Sequence, residues 1–343
     1  VPTIDSQRLE TKASRMFVAM GAPEGDAAWI AQLLVRANLR GHDSHGVIRV
    51  PQYWESVKKG QVDPKTPITV TAESPALVRL DGGGGFGQVV GRRAMEMAIA
   101  KARAGGLSAA STSRTSHVGR LADYAEMAAN AGLVGMLWAN CVHGLNVAPW
   151  GGAARRLGTN PHAVAIPGVS GPAMVLDFAT SVVAEGKMRV KRNRKQQAPP
   201  GWFVDAAGRP ATDPEIFYGE PPGALLTAGE HKGYGLSLAV EILGGILSGT
   251  GPAGPPPGVF ANGTLMICLD VERFLPLAEF HAQVGALFGW VKTAPLAQGA
   301  GEILIPGEPE ARLEAERRAQ GIPVEEQTWN QIEAAAAELG VDS

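Results

Sequence analysis

Asp81-Gly82-Gly83-Gly84-Gly85-Phe86-Gly87 is the stretch on which the reading of the fold turns. Gly82, Gly84 and Gly87 satisfy G-x-G-x-x-G after the alternating run Ala76–Asp81 and before the helical period of Val89–Ala104, which is where a dinucleotide fingerprint is credited. Such a fingerprint needs an acidic residue after the next strand to hold a ribose. That strand, Leu107–Ala110, is followed by Ser111, Thr112, Ser113 and Arg114. Four consecutive glycines also meet the pattern by chance. The loop therefore reads as a tight turn that lets backbone pack closely, not as a pyrophosphate cradle.

Outward from the loop, apolar spacing predicts helices over residues 6–20, 24–39 and 51–59, punctuated by Gly21, Pro23, Gly41 and Gly60. Short strand-like runs follow at 134–139, 163–166, 174–176 and 264–270, with helices over 121–130 and 234–247. Residues 195–223 read as an excursion and 250–258 as a Gly/Pro loop. The tail, 308–320 and 325–340, is helical and amphipathic and is expected to pack on the opening helices. With 343 residues, 45% hydrophobic and 19% charged, the chain is long enough for one large or two intimately joined α/β domains. A net charge of −2 gives no general attraction for nucleic acid or anionic lipid. Cys141 and Cys268 lack any disulfide or zinc-ligand spacing, which fits a cytoplasmic protein. No signal peptide is read in Val1–Glu10, and the greasiest later segment, Gly235–Leu247, is broken by Glu241, so no membrane span is expected.

The chemistry concentrates in Arg40-Gly41-His42-Asp43-Ser44-His45-Gly46-Val47-Ile48-Arg49. Reducing a 2-oxo acid takes a group that protonates the carbonyl oxygen and a cation that holds the carboxylate. His45 suits the first role because imidazole titrates near neutrality. Arg49 suits the second because guanidinium offers a planar fork. The bland alternative makes Asp43 and Ser44 caps and the histidines loop residues; zinc through His42 and His45 is a further option without a clear third ligand. Lys232-Gly233, just before the helix over 234–247, combines backbone N–H groups with a charge and is the better phosphate site. Asp177 is read either as functional or as an N-cap for a turn beginning at Phe178. The basic run Lys187–Lys195 reads as a solvated face that a 2′-phosphate could also use. Tyr53, Trp54, His143 and Trp150 are candidates for the substrate side-chain pocket.

Ser44-His45-Gly46 with Arg49, Ser116-His117-Val118-Gly119-Arg120, Gly158-Thr159-Asn160-Pro161, Asp177-Phe178-Ala179-Thr180-Ser181, Gly186-Lys187, His231-Lys232-Gly233-Tyr234-Gly235 and Ile305-Pro306-Gly307-Glu308 occur here in one order. In this the chain resembles the type-2 malate/L-lactate dehydrogenase family, which includes ureidoglycolate, sulfolactate and diketogulonate oxidoreductases and Δ1-piperideine-2-carboxylate reductases. Ala37–Gly46 is similar to the opening motif of its bacterial hydroxycarboxylate dehydrogenases. The resemblance, from about Leu9 to the C-terminus, implies a sulfolactate-dehydrogenase-like, non-Rossmann α/β (α+β) fold. A mixed-sheet domain (75–307) would bind nicotinamide beside a helical domain of both chain ends (1–74 plus 308–343). It also implies homodimers and a cofactor, NAD or NADP.

Carried over by residue, the resemblance makes His45 the proton donor, Ser44 its relay partner and Arg49 the carboxylate clamp. His117 is the second acid/base candidate. With Gly119, Arg120 and Leu121 it would line the cofactor, as would Asn160, Asp177, Ala179, Thr180, Ser181, Lys232, Gly233, Pro306, Gly307 and Glu308. Asp177 also counts among the catalytic candidates, and Thr159 would touch substrate. The expected activity is hydride transfer between NAD(P)H and the α-carbon of a small 2-oxo or 2-hydroxy carboxylate. The rivals are reduction of a cyclic imine such as Δ1-piperideine-2-carboxylate, a metal-dependent lyase built on His42 and His45, and a catalytically silent dimeric binding protein on the same fold.

Overall fold

In the computed structural model, which describes residues 1–142, 144–254 and 261–341, the amino terminus forms a short strand β1 (Thr3–Ile4) and helices α1 (Ser6–Ala19), α2 (Glu24–Leu39) and α3 (Arg49–Lys58). His143 and residues 255–258 of the Gly/Pro loop lie outside the described residues. The Asp5 carboxylate accepts the Arg8 N–H at 2.9 Å and starts α1. Gly41, at φ 79°, ends α2. α3 begins two residues earlier than the sequence predicts, because Pro51 is tolerated in a first turn whose N–H groups have no intrahelical acceptor.

The chain continues through β2 (Thr69–Glu73), β3 (Leu77–Asp81), α4 (Gly87–Gly105), β4 (Leu107–Thr115), α5 (Ala122–Asn130), β5 (Leu133–Ala139), β6 (Pro161–Gly168) and β7 (Gly171–Ala179). After α6 (Glu185–Asn193), the excursion folds as β8 (Phe203–Val204), β9 (Pro210–Ala211), α7 (Pro214–Phe217) and β10 (Ala224–Leu225). α8 (His231–Val240) runs on as a π-helical turn, Glu241–Ile246, before β11 (Asn262–Asp270). The chain closes with α9 (Leu277–Lys292), α10 (Glu308–Gln320), β12 (Ile322–Pro323) and α11 (Glu326–Glu338).

The main sheet has the order β2-β3-β4-β11-β5-β6-β7. Only β3 and β4 run parallel; every other neighbouring pair is antiparallel. This is a mixed sheet, not the parallel doubly wound sheet that a dinucleotide fingerprint accompanies. β4 extends five residues beyond the expected Ala110, since Ser111 and Thr112 pair with β11 and the Thr112 and Thr264 hydroxyls bond at 2.7 Å.

One core cluster draws on α1, α2 and α3 together with Ile322, Ile332, Ala335 and Ala336, so both chain ends share one helical layer. β1 pairs with β12, and Lys12 Nζ meets Glu333 at 2.7 Å. A second cluster packs α4 and α5 on the sheet, and a small third one, with Phe203 and Phe217, lies under the excursion. Gly87 shows what the glycine run is for. A Cβ there would lie 2.5 Å from the carbonyl oxygens of both Ser116 and His117, so only glycine lets the start of α4 press against that segment.

Candidate active site

Asn38, buried in α2, fixes the turn on which Ser44 and His45 lie. Its Oδ1 accepts the Val47 N–H at 2.8 Å and its Nδ2 donates to Asp43 at 2.8 Å. Arg317 of α10 also donates to Asp43, at 2.7 Å, so α10 braces the turn from outside. Within it, Ser44 Oγ lies 3.0 Å from His45 Nδ1. The Arg49 guanidinium donates to the Ser44 carbonyl at 2.7 Å and to Gln52 at 2.6 Å. Among the described residues no carboxylate forms an ion pair with Arg49.

His117, at the end of β4, stacks on His45 with ring centroids 5.6 Å apart and planes 27° apart. Burial, then the Arg49 charge, pushes His45 down to about 3, and the same two causes in the same order hold His117 well below the ordinary imidazole value. Both rings are neutral near pH 7. His42 turns the other way, 3.7 Å from Glu310, and no set of three His, Cys, Asp or Glu side chains among the described residues is arranged to hold a metal ion.

Next to this turn lies a cleft of about 240 Å³ lined by Arg40, His42, Arg120, Asp177, Pro306, Gly307 and Glu310. Arg120 is buried and bonds Asp123 at 2.7 Å and Glu126 at 3.1 Å, while its Nε has no hydrogen-bond partner. Burial disfavours its charge, but Asp123 and Glu126 hold it above the ordinary value. Asp177 corrects the N-cap reading: β7 continues to Ala179, so Asp177 lies within a strand and its carboxylate instead accepts the Ala122 N–H, at 2.8 Å, at the start of α5. Burial pushes it up to about 6, opposed by Arg120. The Pro306 carbonyl accepts the Val175 N–H at 2.9 Å, which fastens Pro306, Gly307 and Glu308 beside β7. Glu308 itself pairs with Lys292.

Thr180 and Ser181 continue from β7 toward the start of α8, where the Ala228 N–H donates to the Thr180 carbonyl at 2.9 Å. Lys232 and Gly233 lie inside the first turn of α8 and not ahead of it, because the helix begins at His231. Lys232 is exposed, and Gly233 packs against the Thr180 and Ala228 backbone. The side chain of Asn160 is committed internally: its Nδ2 donates to Glu241 at 2.7 Å and to Ser237 Oγ at 3.0 Å, and its Oδ1 accepts from the Cys141 N–H at 3.2 Å. Thr159 Oγ1 lies 3.8 Å from Cys141 Sγ. Leu121 is buried among core residues, and Gly119 turns at φ 79°.

Of the expected side-chain pocket, Tyr53 is buried with its hydroxyl 2.6 Å from His117 Nδ1, Trp54 donates to Glu338 at 2.7 Å, and Trp150 is exposed. In the basic run, Arg189, Arg192 and Arg194 pair with Glu185, Glu215 and Glu325. Arg40, Glu310, Asn38 and Gln88 were missed by the sequence reading. Asn38 and Arg40, both inside the Ala37–Gly46 motif, carried a signal; Glu310 and Gln88 carried none.

The family model described as malate/L-lactate dehydrogenase matches residues 4–333. Hydroxycarboxylate dehydrogenase B of Escherichia coli strain K12 is 37% identical over 342 residues, covering 98% of this chain and 94% of its own. The solved sulfolactate dehydrogenase of Methanocaldococcus jannaschii superposes with a TM-score of 0.90 at 36% identity, over 99% of this chain and 98% of that one. The Δ1-piperideine-2-carboxylate reductase of Pseudomonas syringae pvar. tomato does so with a TM-score of 0.84 at 28% identity, over 98% and 100%. The chain belongs to the malate/L-lactate dehydrogenase family and is an oxidoreductase of that family's fold.

Proposed function

We propose that the protein is an NAD- or NADP-dependent dehydrogenase that exchanges hydride with the α-carbon of a small 2-hydroxy or 2-oxo acid. The observation that carries this reading is Arg49: a guanidinium held by neutral partners, beside two stacked imidazoles, is matched to a carboxylate next to the reacting carbon. His45, neutral and backed by Ser44, takes the hydroxyl proton in oxidation. In reduction, His45 would hand a proton to the carbonyl oxygen; a carboxylate on Arg49 offsets only the smaller, charge-borne part of the depression at His45, the larger part being burial.

The unpartnered Arg120 Nε in the cleft supports a polar ligand there. Arg120, Asp177, Pro306, Gly307 and Glu308 would hold one end of the cofactor, with the diphosphate at Lys232 and Gly233 in the first turn of α8. Ala179, Thr180 and Ser181, which run from β7 toward α8, would lie along the cofactor, as would Gly119, Leu121, Asn160 and His117, with Thr159 toward substrate. When bound, the nicotinamide accepts or delivers the hydride at C4.

The enzyme is proposed to act as a cytoplasmic homodimer. α9 has no buried residue although it carries Phe280, Leu287, Trp290 and Val291, and Trp290 is 76% exposed. An apolar face of that kind marks an association surface. Ile242, Ile246 and Leu247 are more than half exposed as well. No described helix is long and apolar enough to cross a membrane. Residues 1–74 with 308–343 are proposed as the helical domain and 75–307 as the cofactor domain; Phe86 in the first core cluster and Leu33 in the second cross that boundary, so the two would be intimately joined.

The likeness to a Δ1-piperideine-2-carboxylate reductase supports a second reading, reduction of a cyclic C=N beside a carboxylate. Purified protein mixed separately with NADH and NADPH, against 2-oxo acids and cyclic imines, tests both. Nicotinamide oxidation with an oxo acid is expected. Turnover of imines alone selects the second reading, and no turnover with no nicotinamide binding leaves a silent binding protein.

A further inference from the structure

Two histidines stand at the centre of the site, and nothing in the sequence divides the work between them. Their partners do. Ser44 Oγ lies 3.0 Å from His45 Nδ1, a flexible hydroxyl that can donate or accept. His117 is met instead by Tyr53 Oη, 2.6 Å from Nδ1. Tyr53 is itself fixed, because Gln88 Nε2 donates to Tyr53 Oη at 2.7 Å and Gln88 is fully buried. The Tyr53 ring packs at 6.0 Å from Phe86 and 6.2 Å from Phe17, and Gly87 presses the start of α4 on the His117 carbonyl. A phenol that accepts from Gln88 has its own proton left to donate.

We infer that Tyr53 is a positioning residue: its hydroxyl, pinned by Gln88, donates to His117 Nδ1 and fixes that imidazole with its proton on Nε2. The inference rests on the proposed oxidoreductase reading and divides its chemistry. An imidazole with Nδ1 occupied by a donor and its proton on Nε2 gives a hydrogen bond to the substrate oxygen and does not remove a proton from it. The exchange of the proton then falls to His45, whose Ser44 partner tolerates either state. Burial supports the arrangement: it pushes the Tyr53 phenol up to about 12 and keeps it protonated, and it holds the His117 ring neutral.

The first test needs no turnover. Nitrogen NMR of ¹⁵N-histidine-labelled full-length protein, with His117 assigned from the spectrum missing in His117→Asn, is expected to show a bare Nδ1 and a protonated Nε2. A proton on Nδ1 would overturn the inference. In Tyr53→Phe the fixed tautomer is expected to give way to a mixture. kcat should fall ~10-fold with the cofactor KM unchanged, about 1.4 kcal/mol of transition-state stabilisation, and the pH profile should gain a second ionisation as His117 begins to exchange protons. Full activity and an unchanged profile in a folded Tyr53→Phe would equally overturn it. Should that variant not fold, the wild-type tautomer still decides, and Gln88→Met, which frees the hydroxyl while keeping the ring, repeats the comparison. A fixed Nε2–H in a protein that turns over neither oxo acids nor imines supports the hydrogen-bond assignment while defeating the functional reading.

Discussion

Two clefts can be set side by side. The one at the glycine run is the larger, about 380 Å³, and is lined by Gly82, Gly85, Phe86, Asp26, Asp63, Arg92 and Glu96. The one at Arg120 and Asp177 is about 240 Å³ and has no glycine motif of its own in the sequence. In the first, Arg92 is engaged: it bonds Glu96 at 2.8 Å and lies over the Trp29 ring. In the second, Arg120 keeps an Nε without a partner. The second cleft is thus marked by an unbalanced polar inventory and not by a motif or a volume, and a buried unsatisfied donor costs about 1–3 kcal/mol that a polar ligand would relieve.

The contrast can be broken or sharpened by substitution. Arg49→Met should act hardest: kcat/KM for the oxo acid falls ~10³-fold, about 4 kcal/mol, while the affinity for nicotinamide measured by fluorescence titration stays constant. Weakened nicotinamide binding would assign Arg49 to the cofactor. His45→Ala should lower kcat ~10²- to 10⁴-fold with the fold retained. It should also flatten the pH dependence of Tm. The folded His45 titrates near 3 against an ordinary 6.5, so its neutral form stabilises the native state above pH 6.5 and that contribution is lost as pH falls toward 3.

Gly87→Ala is next, since its Cβ has only the His117 and Ser116 carbonyls to displace; about 1–3 kcal/mol of stability and part of kcat should go together, read by denaturant melts and steady-state rates. Asp177→Asn should raise the cofactor KM a few-fold, as a neutral amide is a weaker acceptor than a carboxylate. It should also be less sensitive than wild type to rising pH: the Asp177 pKa is raised, so the stability present below about pH 4 is lost as pH climbs through about 6. Gly84→Ala is the smallest. With φ at 85° but open space around it, the cost should be ~1 kcal/mol of stability, read from a denaturant melt, with no change in cofactor KM. A rise in that KM would restore the glycine run as a cofactor loop.

The sequence made the candidate turn legible because its members are contiguous: Ser44, His45 and Arg49 lie within one turn and the start of one helix, while His117, named only through the family resemblance, is brought against His45 from just past the end of β4. The helical layer was readable from period alone. Gln88 and Glu310 were not, since each reaches its partner across tens to hundreds of residues and neither has a local pattern; Arg40 stood inside the quoted segment, but its partners Glu126 and Glu314 are equally remote. α9 went unread for another reason. Leu277–Lys292 lacks the polar face by which a lone surface helix announces itself. β4 was cut short because Ser111 and Thr112 look like a loop until β11 supplies hydrogen-bond partners.

That last strand has a bearing on how the chain is made. β11 lies between β4 and β5, pairing with both, although it follows β5 by more than a hundred residues. During synthesis β4 and β5 are therefore complete while the slot between them is open, and two facing edges stay unpaired until Asp270 has emerged. Nascent chains stalled before that point should be the ones most in need of a chaperone, and the middle of the sheet, not its rim, is the last part to become a folded object.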